Sequence, residues 1–167
     1  MASRLSREPS EKIYRVLVHG ADFPDHLEAS GWLAHDSASP IARKRAFFTT
    51  PMPEGESAHT SFVKLASGNG FSLLEATLHT GRMHQIRATL WSLGYPVAGD
   101  KIYGVDETVF LRAAKGRLTL EDSRRLILQN QALHAWKIAF PKLNLSFEAP
   151  MPQAWDPILN NLTFLNS

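Results

Sequence analysis

Residues 58–94, AHTSFVKLASGNGFSLLEATLHTGRMHQIRATLWSLG, contain the most informative local pattern of the chain. Two runs rich in apolar and β-branched residues, 60–66 and 71–79, are separated by Asn69 and Gly70. An Asn-Gly pair between two such runs is typical of a two-residue hairpin turn. We therefore predict an antiparallel β-hairpin over this part of the chain.

A helix follows the hairpin, and its period is visible in the sequence. Thr80 and Gly81 can turn the chain out of the second strand, and Gly94 followed by Pro96 is typical of a helix end. The helix is predicted over Arg82 to Leu93, and its apolar stripe is formed by Met83, Ile86, Leu90 and Leu93. A β-hairpin followed by a helix favours an α+β fold with a mixed, mainly antiparallel sheet.

The remaining segments extend this sheet. Further strands are predicted near Ile13, Phe47, Trp136 and Phe147. Residues 21–36 are interpreted as a loop that leads into a short extended piece, and a helix with a capping-box pattern is predicted after Thr119. Residues 153–165 suggest a terminal helix. Residues 1–10 are predicted to be flexible, and 11–167 to form one domain.

Composition excludes several classes of protein and of site. The 167 residues include no cysteine, which excludes disulfides, thiolate metal sites and thiol nucleophiles. The chain has no apolar run long enough to cross a bilayer and starts without an apolar leader, so we expect a cytoplasmic protein. A net charge of +2 permits nucleic-acid binding without demonstrating it.

Arg87 is the most informative charged residue of the predicted helix. It falls at the border of the apolar stripe, where a guanidinium is costly to bury unless it meets a carboxylate or a phosphate. The alternative is that the side chain extends to solvent along the helix. Arg82 and His84 would lie in the first turn, where free backbone N–H groups favour an anion.

Four segments together resemble the RluA-type pseudouridine synthases. They are EKIYRVLVHG, GESAHTSFVKL, LLEATLHTGRMHQIRATLWSLGYPVAGDKIYG and ALHAWKIAFP, in the order and spacing of the family. The resemblance covers about residues 11–150. It implies an enzyme that detaches uracil from its ribose in structured RNA, such as rRNA or tRNA, and rejoins it through carbon, without metal or cofactor. Its target uridine would be flipped into a cleft across the sheet.

The resemblance also implies roles for individual residues. Tyr14 matches the family's tyrosine that stacks on the base, and Arg87 matches the arginine that pairs with a nucleophilic aspartate. Leu133 would form an apolar wall of the pocket. RNA contacts are expected at Lys12, Arg82, His84 and Gln85.

The nucleophile itself has no match in the sequence. The family's aspartate lies in an Arg-Leu-Asp motif upstream of the tyrosine strand, and none of the seven aspartates here stands in that motif. Asp100 belongs to the GD..YG segment and is predicted to build a turn. We therefore expect residues 11–167 to be part of a catalytic domain whose upstream part is missing, and inactive alone. In that case the sheet should present an unpaired edge or an exposed apolar face.

Two other interpretations stay open. One is a non-catalytic RNA-binding relative that has lost the nucleophile, and the other is one chain of a two-chain enzyme. His79 and His84 could in principle bind a metal, but no third and fourth ligand lie near them in the sequence. No metal site is therefore predicted.

Overall fold

The computed structural model describes residues 10–104 and 106–165, and these form one antiparallel sheet with helices packed on it. The predicted flexible segment 1–10 lies outside the described residues except for Ser10. The strands are β1 Glu11–His19, β2 His26–His35, β3 Arg45–Phe48, β4 Glu56–Gly68, β5 Phe71–Leu78, β6 Leu133–Phe140, β7 Leu145–Glu148 and β8 Thr163–Phe164. The helices are α1 Gln85–Ser92, α2 Thr108–Ala114, α3 Leu120–Leu126 and α4 Asp156–Leu159, with 3-10 turns at Pro141–Leu143 and Gln153–Trp155.

The sheet has the strand order β3-β2-β4-β5-β1-β6-β7, and β8 adds to β4. Every pairing of these strands is antiparallel. The α+β fold and the predicted hairpin are confirmed, and Asn69 and Gly70 adopt the positive φ angles, 49° and 81°, that such a turn requires. The strands predicted near Ile13, Phe47, Trp136 and Phe147 are also present.

Both faces of the sheet are covered at its centre. Val16 and Leu17 are neighbours in β1 and point to opposite faces, yet both are completely buried. On one face α1 packs against β2 and β3, and Val97 of the following segment bridges to Val18. On the other face Trp155 packs edge-on against His134 of β6. The ends of β1, β6 and β7 extend beyond this cover.

The edge strand β7 is exposed along its whole length. Its Phe147 side chain is 56% exposed and its Leu145 is 39% exposed. This edge matches the expected exposed apolar surface. None of the helices in residues 10–104 and 106–165 is long and apolar enough to cross a membrane.

Four details of the predicted elements differ from the structure. Residues 26–35 form a full strand where a loop and a short extended piece were predicted, and a helix over residues 108–114 was not predicted. The helix predicted from Arg82 begins only at Gln85, because His84 adopts a left-handed conformation with φ 58° and ψ 18°. Met83 is consequently 46% exposed rather than part of the buried stripe. The predicted terminal helix shrinks to a 3-10 turn and α4, followed by β8.

Candidate nucleotide-binding cleft

Tyr14 lies in a cleft at the open end of the sheet. Its neighbours in the flanking strands are Ala76 of β5 and Ala135 of β6, and these small side chains leave room around its half-buried ring. A hollow of about 380 Å³ opens on the β6 side, and a second of about 380 Å³ opens on the β5 side. Tyr14 and Lys12 line both hollows, so the tyrosine occupies the middle of a continuous groove.

Aromatic rings and basic groups surround the hollow next to β6. Trp136 and Phe147 line it, together with Lys137, whose ammonium pairs with Glu148 at 2.9 Å. The half-buried Trp136 ring lies 3.8 Å from the guanidinium of Arg15, which is next to Tyr14 in β1 and points to the opposite face of the sheet. Phe147, which is 56% exposed, is a ring of the kind that binds unstacked bases. Sequence reasoning did not identify Trp136 or Phe147 as site residues, because strand aromatics are indistinguishable from core residues in a sequence.

The hollow next to β5 contains Arg82, whose predicted position changes with the helix start. It precedes α1 rather than belonging to its first turn. Its Nε donates to the carbonyl of Ser57 at 3.1 Å, and its side chain remains 38% exposed. Arg82 and Lys12 therefore bring two cations to this end of the groove, with the polar Thr80 between strand and helix.

Arg87 meets a carboxylate, as the position of its side chain at the helix border predicted. Its Nε and Nη2 donate to the two carboxylate oxygens of Asp100 at 2.6 and 2.8 Å. Asp100 is fully buried, and its Oδ1 also accepts from the backbone N–H groups of Ile102 and Tyr103. The predicted turn role of Asp100 is confirmed. The pair fixes the turn at 100–103 against α1.

His84 and Tyr103 extend this polar cluster. The Tyr103 hydroxyl accepts from the backbone N–H of Arg45 at 3.0 Å and lies 2.9 Å from Nδ1 of His84. Burial, with a smaller contribution from Arg87, lowers the pKa of His84, and burial raises the pKa of Tyr103. The phenol therefore keeps its proton, and its oxygen shares a hydrogen bond with Nδ1 of His84.

Gln85 has an internal role. The side chain is 3% exposed, and its Oε1 accepts from the Thr80 hydroxyl and from the backbone N–H of Arg82. Its Nε2 donates to the carbonyl of His59 and to the Thr60 hydroxyl. Both ends of the amide are therefore engaged in joining the turn before α1 to β4. Contact of Gln85 with RNA was predicted, and this burial does not favour it.

Leu133 lies on the same sheet face as Tyr14 but farther along β6. It pairs with Val16, whereas Ala135 pairs with Tyr14, and residues two apart in a strand share a face. Leu133 is half-buried against the core, and Ala135 is the β6 residue that lines the cleft beside Tyr14. No hydrogen bond joins Tyr14 to Arg87 within residues 10–104 and 106–165.

None of the seven aspartates lines either hollow at Tyr14. Asp100 is held by Arg87, and Asp122 is held by Arg112. Asp25 pairs with Lys64 at 2.9 Å, and Asp36 faces Lys44. The acidic residue that does line the cleft is Glu148, which is paired with Lys137. Among residues 10–104 and 106–165, the groove therefore has a ring to stack on and cations, but no free carboxylate.

The family model described as RNA pseudouridylate synthase matches residues 1–92 of this sequence, more than half of the chain. The chain belongs to the RNA pseudouridylate synthase family. A Nitrosomonas europaea relative named ribosomal large subunit pseudouridine synthase D is 32% identical over 91% of this chain and 41% of its own length. An uncharacterized RNA pseudouridine synthase of Chlorobaculum parvum is 29% identical over 97% of this chain and 50% of its own length.

Solved structures of pseudouridylate synthase domains share the fold. Human RNA pseudouridylate synthase domain containing 1 has a TM-score of 0.69 and 22% identity, with 99% of this chain and 65% of that chain covered. Human RNA pseudouridylate synthase domain containing 4 has the same TM-score at 19% identity, with 99% of this chain and 67% of that chain covered. The chain spans about half the length of several curated pseudouridine synthases that match nearly all of it.

Proposed function

We propose that this chain forms the later part of the catalytic domain of an RNA pseudouridine synthase, which acts in the cytoplasm on a uridine in structured rRNA or tRNA. The observation that carries the proposal is the groove around Tyr14, which has a central ring, flanking aromatic side chains and cations at both ends. The name of the Nitrosomonas europaea relative supports an rRNA substrate.

The reaction defines what the groove has to do. The bond between ribose C1′ and uracil N1 breaks, a bond between C1′ and C5 forms, the C5 hydrogen leaves as a proton, and N1 gains one. The uracil must turn while it stays bound, so a flat surface that holds it without fixing its edges is suitable. We assign this surface to Tyr14.

We assign to Arg87 the role of binding the nucleophilic carboxylate. Two of its guanidinium nitrogens bind Asp100, which fixes the plane of the group and leaves Nη1 for a second carboxylate. A guanidinium in contact with that second carboxylate would keep it ionised. Because no aspartate of the chain lines the groove, the nucleophile has to come from outside these 167 residues, from an upstream segment or a second chain.

The same observation supports a second candidate, an RNA-binding relative without catalysis. A groove with cations and rings but no carboxylate binds a nucleotide without attacking it. The two candidates agree on RNA binding and differ on turnover.

Turnover is measured by release of tritium to water from a stem-loop that carries uridine labelled at C5. We expect the 167-residue chain to release none, and the chain joined to an upstream segment with an Arg-Leu-Asp motif to be active. In the joined form Arg87→Ala and Tyr14→Ala should each lower the rate by about 10³-fold or more, whereas Lys115→Ala, on the exposed surface at the end of α2, should not. Release by the isolated chain would overturn the assignment of the nucleophile, and inactivity of both forms would favour the binding relative.

A further inference from the structure

The sheet face opposite Tyr14 carries a cluster of two imidazoles, a carboxylate and a hydroxyl. They belong to Glu28 of β2, His59 and Ser61 of β4, and His79 directly after β5. Glu28 is the cross-strand partner of Ser61, and the backbone N–H of His79 donates to the carbonyl of His59. Thr60, which lies between the two β4 residues, points to the other face and bonds to Gln85. Three adjacent strands thus bring these side chains together.

The donor atoms of the cluster converge. Glu28 Oε2 lies 2.8 Å from His59 Nε2 and 2.8 Å from the Ser61 hydroxyl, which is 2.6 Å from His79 Nε2. The two imidazole rings are stacked with their centres 4.2 Å apart and their planes inclined by 26°. One ligand atom from each of Glu28, His59 and His79 lies within 4.8 Å of the other two.

This donor set is typical of one class of metal ion. Two imidazole nitrogens and one carboxylate oxygen suit Zn²⁺, which binds them at about 2.0–2.2 Å in a tetrahedron. Donors around such an ion lie about 3.3–3.5 Å apart, so rotations of these surface side chains are sufficient to close on it. Ca²⁺ and Mg²⁺ prefer more oxygen ligands than the cluster offers.

We propose that Glu28, His59 and His79 bind a Zn²⁺ ion, with the Ser61 hydroxyl or a water in the fourth position. Imidazole nitrogens and a carboxylate oxygen are groups that bind this ion. The Zn²⁺ would bridge β2, β4 and the end of β5 on the sheet face opposite Tyr14, and His79 also lines the hollow next to β5.

The sequence obscured this site because its ligands come from three separate strands. His79 is near His84 in the chain, and without a third and fourth ligand nearby in the sequence no metal site was predicted for this pair. In the structure the Nδ1 of His84 contacts Tyr103 instead, whereas His79 stacks on His59. The site therefore follows from the pairing of β2, β4 and β5 and not from local spacing.

The test is calorimetric titration of the full chain, without a polyhistidine tag and after treatment with a chelator, with ZnCl₂. We expect one ion per chain, and Co²⁺ in its place should give the visible absorption of a tetrahedral site. His59→Gln, His79→Gln and Glu28→Gln should each weaken binding at least about tenfold, a loss seen even when an outer partner of a metal ligand is removed. Circular dichroism of each variant without metal establishes that it is folded.

The matched control is His26→Gln, an exposed histidine of the same strand as Glu28 that is outside the cluster. It should bind Zn²⁺ as the unaltered chain does. Absence of binding by the unaltered chain would overturn the proposal. Equal affinity in folded His59→Gln and His79→Gln, or an equal loss in His26→Gln, would overturn the assigned ligands.

Discussion

At the scale of single residues, the Arg87–Asp100 pair shows how a charged group is kept inside this fold. The Asp100 carboxylate is completely shielded, and it receives two guanidinium N–H groups and two backbone N–H groups. A buried carboxylate with all its acceptors engaged is tolerated, while one that loses its cation is costly. The pair therefore matters to stability mainly because loss of one partner would leave the other charge without its counter-ion.

Arg87→Ala should lower the free energy of unfolding by about 3 kcal/mol, because it leaves the Asp100 charge buried without a cation. Arg87→Ala combined with Asp100→Asn should be less destabilised than Arg87→Ala alone, since the amide oxygen can still accept from Ile102 and Tyr103 without a charge. Urea unfolding at neutral pH measures both. A double variant less stable than the single one would contradict this account.

Two histidines should make stability depend on pH. Burial lowers the pKa of His19 and His84 below the ordinary 6.5, so the unfolded chain binds protons at a pH where the folded chain does not. The free energy of unfolding should therefore be highest above pH 6.5 and fall as the pH decreases below it. The lowered carboxyl pKa values of Glu28 and Glu107 act in a separate range below 4.5.

His84→Asn tests this dependence without changing the backbone requirement, because asparagine tolerates the left-handed conformation of this residue. The loss of stability between pH 8 and pH 5.5 should be smaller in the variant than in the unaltered chain. Urea unfolding across this range is the measurement. An unchanged pH dependence would mean that His84 is not held neutral.

At the scale of elements, the turn between β4 and β5 is the part of the fold that local sequence determines most directly. Gly70 has φ 81° and open space around it. A side chain there would cause no steric clash, and its only cost would be the strain of a positive φ in a residue other than glycine. Gly70→Ala should therefore destabilise the chain by about 1 kcal/mol. Gly81→Ala is the matched control, because Gly81 also faces open space but is not held at positive φ, and it should be neutral or slightly stabilising.

The strand that sequence reasoning missed explains the limit of local patterns. The inward positions of β2 include Ala29 and Gly31, which carry almost no apolar signal. Gly31 is required because a Cβ there would lie 2.7 Å from the Phe47 ring and 2.2 Å from the carbonyl oxygen of Phe48. The partner strand β3 thus supplies the apolar surface at Gly31. Only the pairing shows that this Gly-containing segment is a strand.

The start of α1 was missed for a related reason. Periodicity extends back to Met83, but Gln85 binds the Thr80 hydroxyl and the backbone N–H of Arg82, which holds the preceding residues in a turn. The family resemblance predicts Tyr14 and Arg87 as site residues. The partner of Arg87 within the chain and the aromatic lining of the cleft depend on strand pairing and on the fold of residues 97–103, which a single sequence does not reveal.

At the scale of the whole molecule, Tyr14 and the proposed zinc site lie on opposite faces of one sheet, and His79 belongs both to that site and to the lining of the hollow next to β5. Cations lie at both ends of the groove, with Lys12 and Arg82 on one side and Lys137 on the other. If, as proposed, a further part of the catalytic domain completes the groove, this part alone would still contact phosphates but without the opposite wall. RNA binding by the isolated chain should therefore be weak and dependent on salt.

Titration of a uridine-containing stem-loop at 50 and 200 mM salt, conditions that separate phosphate contacts from other contributions, tests this expectation. Lys12→Ala and Arg82→Ala should each reduce the salt dependence by about one released ion. Lys115→Ala, exposed at the end of α2, is the matched control and should leave it unchanged. Equal affinity at both salt concentrations would exclude phosphate contacts as the source of binding.

Substitutions of Tyr14 separate the contribution of stacking to RNA binding from that of charge in the same titration. Removal of a ring that stacks on a base costs about 1–3 kcal/mol without removing a phosphate contact, so Tyr14→Ala should weaken binding at both salt concentrations while the salt dependence stays the same. Tyr14→Phe keeps the ring between Ala76 and Ala135 and should retain most of the affinity. A loss in Tyr14→Phe as large as in Tyr14→Ala would show that the hydroxyl, rather than the ring, contacts the RNA.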